Sequence, residues 1–518
     1  MRKLKNIESW LGGRVDQTAL CILASALFLY VYYGTGSYLN PDEAGHIVTV
    51  NRGNVYGAYA ASHSSAHPPL MFVVLHILSG FGQSVLFLRF LSAALSVVAS
   101  WLVFKWIKRA FGPVEGIAGL MFLTFSPGMI SIACEVRQYA MLLFFVSGAL
   151  YFLQRFIEEG SLWTGVPFSA FLYGAILTHY SAILVALAFA VYVATVFLRK
   201  PPGWRSVWLW LVSQSGVVIL YGLLYITHIR WMHSTGFAEA QIQGYLKPEY
   251  FLPGQETIIS FLARSTLDVF SYIAGGETAG IMVLACLLLG IIGNVANPYS
   301  NLQVKSGRHY SILLILPFVI GSIGAIARVL PFGGSRHISY LLPFIAAGVG
   351  VCVVRVFSMK KLTLCLAAGM IILPVWLVKW QPPNADPRMS DAHMKAALEQ
   401  LNERVPANSL LFVDDMTHYV LAYYLTDDQV RRRGREGRMG KYHVVWAKPF
   451  AFSPDNFERE LVAMSRSLNI RSGDFVWVMT VGWYSFDSFS SFLSLYLPDR
   501  IKERWNFGSI ILMQILVL

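Results

Sequence analysis

The sequence predicts a polytopic α-helical membrane protein of about 11 transmembrane helices followed by a C-terminal α/β exported domain. Three observations lead there: long apolar runs, a lopsided charge distribution and a change of texture near residue 381. Of the 518 residues, 55% are hydrophobic and only 14% are charged, against roughly 25% charged in an ordinary soluble domain; mean hydropathy is +0.53. This composition excludes a soluble enzyme, a disordered chain and a fibrous repeat. The net charge of +12 would by itself suit a nucleic-acid binder. However, residues 1–380 carry 25 basic and 13 acidic residues, whereas residues 381–518 carry 16 of each. A basic excess confined to the apolar part marks loops held on the cytoplasmic side of a membrane, not a surface that reads phosphate backbones.

A spanning helix needs ~20 apolar residues. Runs near that length lie at 18–38, 84–107, 114–133, 138–157, 163–178, 181–198, 207–229, 278–297, 311–330, 338–357 and 361–380. The apolar segment Pro69 to Phe81 is too short to cross and is expected to form an interfacial or re-entrant helix. The basic start Met1-Arg2-Lys3-Leu4-Lys5 precedes a long apolar run with no small-residue cleavage site, so the first run is expected to be a retained membrane helix. Threading the runs alternately gathers Lys105, Lys108, Arg109, Arg155, Arg199, Lys200, Arg205, Lys305, Arg308, Lys360 and Lys361 on one side. The positive-inside rule makes that side cytoplasmic, the N-terminus included. An odd number of spans then exports the Thr227 to Glu277 connection and everything after residue 380. The expected division is a transmembrane catalytic part, 1–380, and an extracytoplasmic part, 381–518. Cys21, Cys134, Cys286, Cys352 and Cys365 lie in the apolar part without a CxxC spacing and read as packing residues.

After Gln381-Pro382-Pro383 the texture alternates. Helices are expected near 391–405, 417–425, 456–468 and 486–495, and strands at 410–413, 442–446, 475–479 and 510–517. This alternation predicts a small α/β sandwich with a mostly parallel sheet. The run Arg431 to Arg438 reads as an exposed, solvated loop, with docking on an anionic lipid or polymer as the sharper alternative.

Polar groups at membrane depth are costly, so those that remain are functional candidates. The exported ends carry Asp42, Glu43 and His46, then His63 and His67-Pro68-Pro69-Leu70, then Glu135, Arg137 and Tyr139, then His179, and finally Arg336-His337. The cytoplasmic ends show scattered Lys and Arg with few apparent partners. Asp42 and Glu43 are neighbours, and neighbours on a helix point ~100° apart, so they are expected to do different jobs. Asp42, just after Pro41, suits either an N-terminal cap or a catalytic base. Glu43 and His46 share a face at i and i+3 and would serve a divalent metal or each other; no residue is assigned to a metal. His67-Pro68-Pro69 is a rigid lead into a helix. Glu135 and Arg137 suit an ion pair between helices or a site. Arg336 would either snorkel to the interface or hold a phosphate bidentately. His179 beside Tyr180 suits a packed helix end.

Taken together these residues resemble the GT-C superfamily of integral membrane glycosyltransferases. The likeness is to the bacterial branch related to protein O-mannosyltransferases, lipid A aminoarabinose transferases and galacturonosyl transferases. It rests on Asp42-Glu43, His67-Pro68-Pro69-Leu70, Leu88-Arg89-Phe90-Leu91-Ser92-Ala93, Ser126-Pro127, Glu135-x-Arg137-Gln138-Tyr139 and Arg336-His337-x-x-Tyr340-x-x-Pro343, and covers roughly residues 18 to 345. The resemblance implies transfer of a sugar from a polyprenyl-phosphate-linked donor to a lipid, glycan or protein acceptor on the outer face of the cytoplasmic membrane. It implies Asp42 as general base, Glu43 as a positioning acid, and Arg137, Arg336 and His67 on the donor phosphate. Some relatives carry Lys where this chain has His67. The chemistry is consistent: a lipid phosphate is already a good leaving group, so one base plus neutralising cations suffices for inverting displacement. The rival reading is a transporter or flippase for a lipid-linked sugar. Transporters tend to place ionisable groups at the midplane of broken helices and to show paired repeats, whereas the acids here lie at helix ends.

Overall fold

The computed structural model describes residues 13–296, 308–356, 361–369, 387–425, 436–446, 468–481 and 498–517, apart from positions 52, 64, 66, 237, 238, 240, 241 and 362; residues 459, 463 and 466 are described singly. The chain forms two compact units. The first comprises Met1–Tyr32, Ser62–Met71 and Arg89–Pro382; the second comprises Tyr33–Ala61, Phe72–Leu88 and Pro383–Leu518.

In the first unit the apolar runs become helices. Eight of the described helices are long and apolar enough to cross a membrane: Val15–Thr35, Val85–Ala110, Gln138–Glu159, Ala182–Arg199, Trp204–Ser234, Glu277–Ala296, His309–Ile326 and Arg336–Arg355. The run expected at 114–133 is instead a pair, Pro113–Phe125 and Pro127–Ala133, bent by 59°. Its cause is legible: Pro127 disfavours helical backbone at the residue before it, and Ser126 is extended at φ −67°, ψ 139°. The run at 163–178 is a shorter apolar helix, Leu162–Thr178. The last run, 361–380, lies largely outside the described residues. The chain is thus a multi-span, mostly helical membrane protein.

Arg336–Arg355 is the most enclosed of these spans and Trp204–Ser234 the least. Enclosure is obtained with small residues, because helices in lipid gain by close approach of their backbones. A Cβ on Gly290 would collide with the Gly348 carbonyl, and one on Gly350 with the Glu115 carbonyl. Four of the basic residues at helix ends, expected to have few partners, are paired: Lys105, Lys108, Arg109 and Arg155. Lys108 Nζ lies 2.9 Å and Lys105 Nζ 3.6 Å from Asp16, while Arg155 bonds Glu159 at 2.9 Å, one turn on. The Trp204–Ser234 span passes through a wide turn at Tyr225–Ile229, so the connection to the next helices begins after Ser234 rather than at Thr227.

Among the described residues the second unit contains a six-stranded mixed sheet of order β2-β3-β1-β4-β6-β5. Its strands are β1 Leu410–Val413, β2 Glu436–Met439, β3 Tyr442–Trp446, β4 Phe475–Thr480, β5 Ile501–Phe507 and β6 Ile510–Leu516. The expectation of a mostly parallel sheet is corrected. β1 runs parallel to β3 and β4, but β2–β3, β4–β6 and β5–β6 are antiparallel. The Arg431 to Arg438 run is not all loop either: Glu436, Gly437 and Arg438 belong to β2, and 431–435 lie outside the described residues, as do most of 456–468 and all of 486–495. Phe412, Val445, Val476, Val478, Ile511, Met513 and Ile515 form one buried cluster of the sheet. Asp414 ends β1 and starts the helix Asp415–Leu425: its carboxylate accepts from Thr417 N–H at 2.7 Å and from the Thr480 hydroxyl of β4 at 2.8 Å.

In this unit the sheet packs with segments from early in the chain. Ser37 bridges Ser390 in antiparallel fashion, Tyr38 N–H donates to the Met389 carbonyl at 3.3 Å, and the Tyr38 and Ser509 hydroxyls meet at 3.1 Å. Leu39 N–H donates to the Tyr424 hydroxyl at 3.1 Å. The Tyr419 ring lies against Gly45, 3.6 Å from where a Cβ would stand.

Candidate functional site

The helix Pro41–Val50, in the second unit, carries Asp42, Glu43 and His46. Its start is a capping box: the Asn40 side chain accepts from Glu43 N–H at 2.9 Å, and Glu43 Oε2 accepts from Asn40 N–H at 3.0 Å. Each member thereby satisfies a donor the helix itself leaves open. The cap is therefore Asn40 with Glu43, not Asp42. Glu43 is fully buried, whereas Asp42, one residue earlier, is half-buried, as a ~100° offset requires. Asp42 sits in the first turn, where the helix dipole favours its carboxylate. His46 Nδ1–H donates to the Asp42 carbonyl at 2.7 Å, and its ring stacks on Phe72 at 5.0 Å. Among the described residues no group of three or more His, Cys, Asp or Glu is arranged to hold a metal ion.

The first unit gathers the other sequence candidates. Arg336 opens a short 3₁₀ turn, Arg336–Leu341, and its Nη1 donates to Glu135 Oε2 at 2.9 Å. Glu135 thus pairs with Arg336, far along the chain. The pair is nearly dry, with side-chain exposures of 20% and 4%; in such surroundings a charge-assisted bond is strong and its rupture costly. Tyr139 lies between the two arginines, with the Arg336 guanidinium 5.5 Å and the Arg137 guanidinium 5.9 Å from its ring centre. That is the range of cation–π attraction. The Tyr139 hydroxyl meets His337 Nε2 at 3.3 Å, and Ser335 Oγ meets His337 Nδ1 at 2.9 Å.

Imidazoles complete the wall. His179 lies 5.5 Å from Tyr139, 5.6 Å from His67 and 5.8 Å from His337, centre to centre. Burial, with the charge of Arg137 adding to it, pushes the His179 pKa down to about 3, so this ring is a neutral packing and hydrogen-bonding group: Ser181 N–H donates to its Nδ1 at 3.1 Å. Gln138 Nε2 donates to His67 Nε2 at 3.0 Å. Tyr245, from the connection after Ser234, approaches His337 at 6.5 Å. The cluster is therefore two arginines, one buried carboxylate, a tyrosine and three imidazoles, assembled at the ends of spans. His63 stands apart from it, stacked on His228 at 4.2 Å, with Ser62 Oγ 3.0 Å from His228 Nε2.

One member escaped the sequence reading. Glu249, in the 3₁₀ turn Lys247–Glu249, is only 7% exposed and sits against the loop that carries Arg336. Its carbonyl accepts from Phe332 N–H at 3.0 Å. Within the segment Lys247-Pro248-Glu249-Tyr250 nothing distinguishes this acid from a solvated one; only the long-range pairing buries it.

A family profile described as Dolichyl-phosphate-mannose-protein mannosyltransferase matches residues 66–226. No curated protein matches the chain by sequence. Among solved structures, ArnT from Cupriavidus metallidurans is similar in fold in two states. The state bound to undecaprenyl phosphate shares 13% identity at a TM-score of 0.54, over 98% of this chain and 98% of that one; the apo state gives the same identity and score over 96% and 98%. An oligosaccharyltransferase from Archaeoglobus fulgidus aligns more weakly, at a TM-score of 0.48 and 12% identity over 91% of this chain and 69% of that one. By fold the chain is a multi-span membrane protein similar to ArnT, and its early spans match the mannosyltransferase family profile.

Proposed function

We propose that the protein transfers a sugar from a polyprenyl-phosphate-linked donor to an envelope acceptor, whether lipid, glycan or protein. The observation that carries this reading is the largely buried cluster of Arg137, Arg336, Tyr139 and His67. Two guanidiniums flanking an aromatic ring suit a phosphate that arrives on a lipid: Arg binds phosphate in a fork and keeps its charge at any working pH. ArnT, whose fold is similar, has been crystallised with undecaprenyl phosphate, which supports the choice of donor.

In this reading Asp42 is the general base. It takes the proton of the acceptor hydroxyl as the oxygen attacks the anomeric carbon and the bond to the phosphate oxygen breaks, with inversion. Arg137, Arg336 and His67 neutralise the departing polyprenyl phosphate, an electrostatic contribution that grows in a dry site. Glu43 acts through its capping box, holding the turn that presents Asp42. The chemistry takes place on the outer face of the cytoplasmic membrane, with the N-terminus inside, residues 1–380 as the membrane part and 381–518 exported.

The test is acceptor-dependent release of free polyprenyl phosphate by purified protein in lipid, given a panel of polyprenyl-phosphate sugars and envelope acceptors, for the native chain and for Asp42→Asn. Release by the native chain and its loss in the variant are expected. Equal release from both removes Asp42 as the base. Movement of intact lipid-linked sugar between leaflets, with no release, replaces transfer by transport.

A further inference from the structure

Glu249 has no place in the displacement just described, yet its surroundings are built. Its carboxyl is buried at the foot of the loop Pro331–Ser335, which leads into Arg336. A Cβ on Gly333 would stand 2.8 Å from Glu249 Cγ, and one on Gly334 would stand 3.2 Å from the Asp268 carbonyl. The two glycines thus let the loop seat directly on the 3₁₀ turn of Glu249 and on the helix Ile258–Ala274. That floor is itself pinned: Arg264 donates to the Pro248 carbonyl at 2.7 Å and to Glu256 at 3.0 Å, and lies 3.5 Å from Asp268. Glu249 Oε2 is buried and has no hydrogen-bond partner among the described residues. A buried carboxylate oxygen left so would be expensive, and a carboxylic acid is the form that fits.

Groups of both signs face this carboxyl. From the loop come Ser335 and Arg336, which favour its charged form; from the helix comes Asp268, which disfavours it; Tyr250, itself near Arg328, adjoins it. Burial outweighs the rest and pushes the Glu249 pKa up to about 7, with Asp268 adding to the rise and Ser335 and Arg336 opposing it. The group therefore changes charge near neutrality, beside an arginine that already serves one carboxylate, Glu135.

We propose that Glu249 is a positioning residue for Arg336. As a neutral acid it seats the 331–335 loop and leaves the guanidinium charge to the donor phosphate; as a carboxylate it competes with that phosphate for the same charge. This rests on the reading of Arg336 as a phosphate ligand. The sign follows: as pH rises through about 7, the proton leaves Glu249, Arg336 acquires a second carboxylate, and phosphate affinity falls.

The experiment measures the affinity of the full chain in nanodiscs for undecaprenyl phosphate, the probe, between pH 6 and 8.5, for the native protein, Glu249→Gln, Ser335→Ala and Arg336→Ala. Taking the ratio of native to Glu249→Gln dissociation constants removes the probe's own titration. That ratio is expected to rise about tenfold over the range, the size of a one-unit competition; a flat ratio overturns the proposal. Ser335→Ala removes a group that favours the Glu249 carboxylate, so the native break in affinity is expected at higher pH. If Glu249→Gln does not fold, this shift decides, and an unmoved break overturns the proposal. Unchanged affinity in Arg336→Ala would sink the phosphate-site reading and this inference with it. A strong loss there with a flat Glu249 ratio would sink this inference alone.

Discussion

The Asp42 helix and the Arg336 cluster both hold acids out of water, by opposite means. Glu43 is satisfied by Asn40, three residues away, and the geometry is complete within one helical turn. Glu135 is satisfied by Arg336 across 201 residues, and Tyr139 by His337 across 198. Local devices are cheap in entropy and robust, whereas long-range pairs form only when the whole bundle has closed. The comparison teaches where each region is vulnerable: the helix to changes in its own four residues, the cluster to any change that misplaces a span.

The largest expected effect is on chemistry. Asp42→Asn should lower transfer by roughly 10² to 10⁴-fold, the usual contribution of a positioned base, while thermal unfolding stays unchanged because the capping box is intact. Loss of folding in that variant would break the contrast, since it would make Asp42 structural. Next comes the cluster. Glu135→Ala leaves the Arg336 charge without its ion-pair carboxylate in dry surroundings and should cost about 3 kcal/mol, read as a lower unfolding midpoint in detergent. The helix start should be milder. Asn40→Ala is expected to cost about 1 kcal/mol, and Glu43→Gln close to nothing, because glutamine also completes a capping box; abolished transfer in Glu43→Gln would show that its charge, not its cap, is used. Tyr424→Phe removes the acceptor for Leu39 N–H and should cost roughly 1 kcal/mol, as much as the Asn40 cap, measured by denaturation of the full chain.

Legibility followed the same division. The inner strands β1 and β3 stand at the residues the sequence indicated, Leu410–Val413 and Tyr442–Trp446, because short, largely apolar, β-branched or aromatic runs mark strands with buried faces. Both strands that were missed are edges of the sheet. β2 reads Glu-Gly-Arg-Met and β5 reads Ile-Lys-Glu-Arg-Trp-Asn-Phe, charged in the way edges are to discourage pairing with other chains. Charge hid them, and with them went the antiparallel character of the sheet. In the site, residue types and sidedness were readable, since polar groups at span ends stand out against an apolar background. Partners were not: nothing adjacent to Glu135 says that a cation 201 positions away pairs with it, and nothing adjacent to Glu249 says that it is buried at all.

The antiparallel bridge between Ser37 and Ser390, with the Tyr38–Ser509 contact beside it, also sets a timetable. Tyr38 and Ser509 are 471 positions apart, and at roughly 5–20 residues per second the ribosome needs on the order of half a minute to a minute and a half to deliver the second after the first. The Asp42 helix can coil as soon as it emerges, because its cap is local, but its place in the sheet-bearing unit stays vacant for that interval. Contact order this high makes late assembly the slow event of folding, so a pause, a truncation or a folding factor acting on the last third of the chain would control when the Asp42 helix becomes fixed.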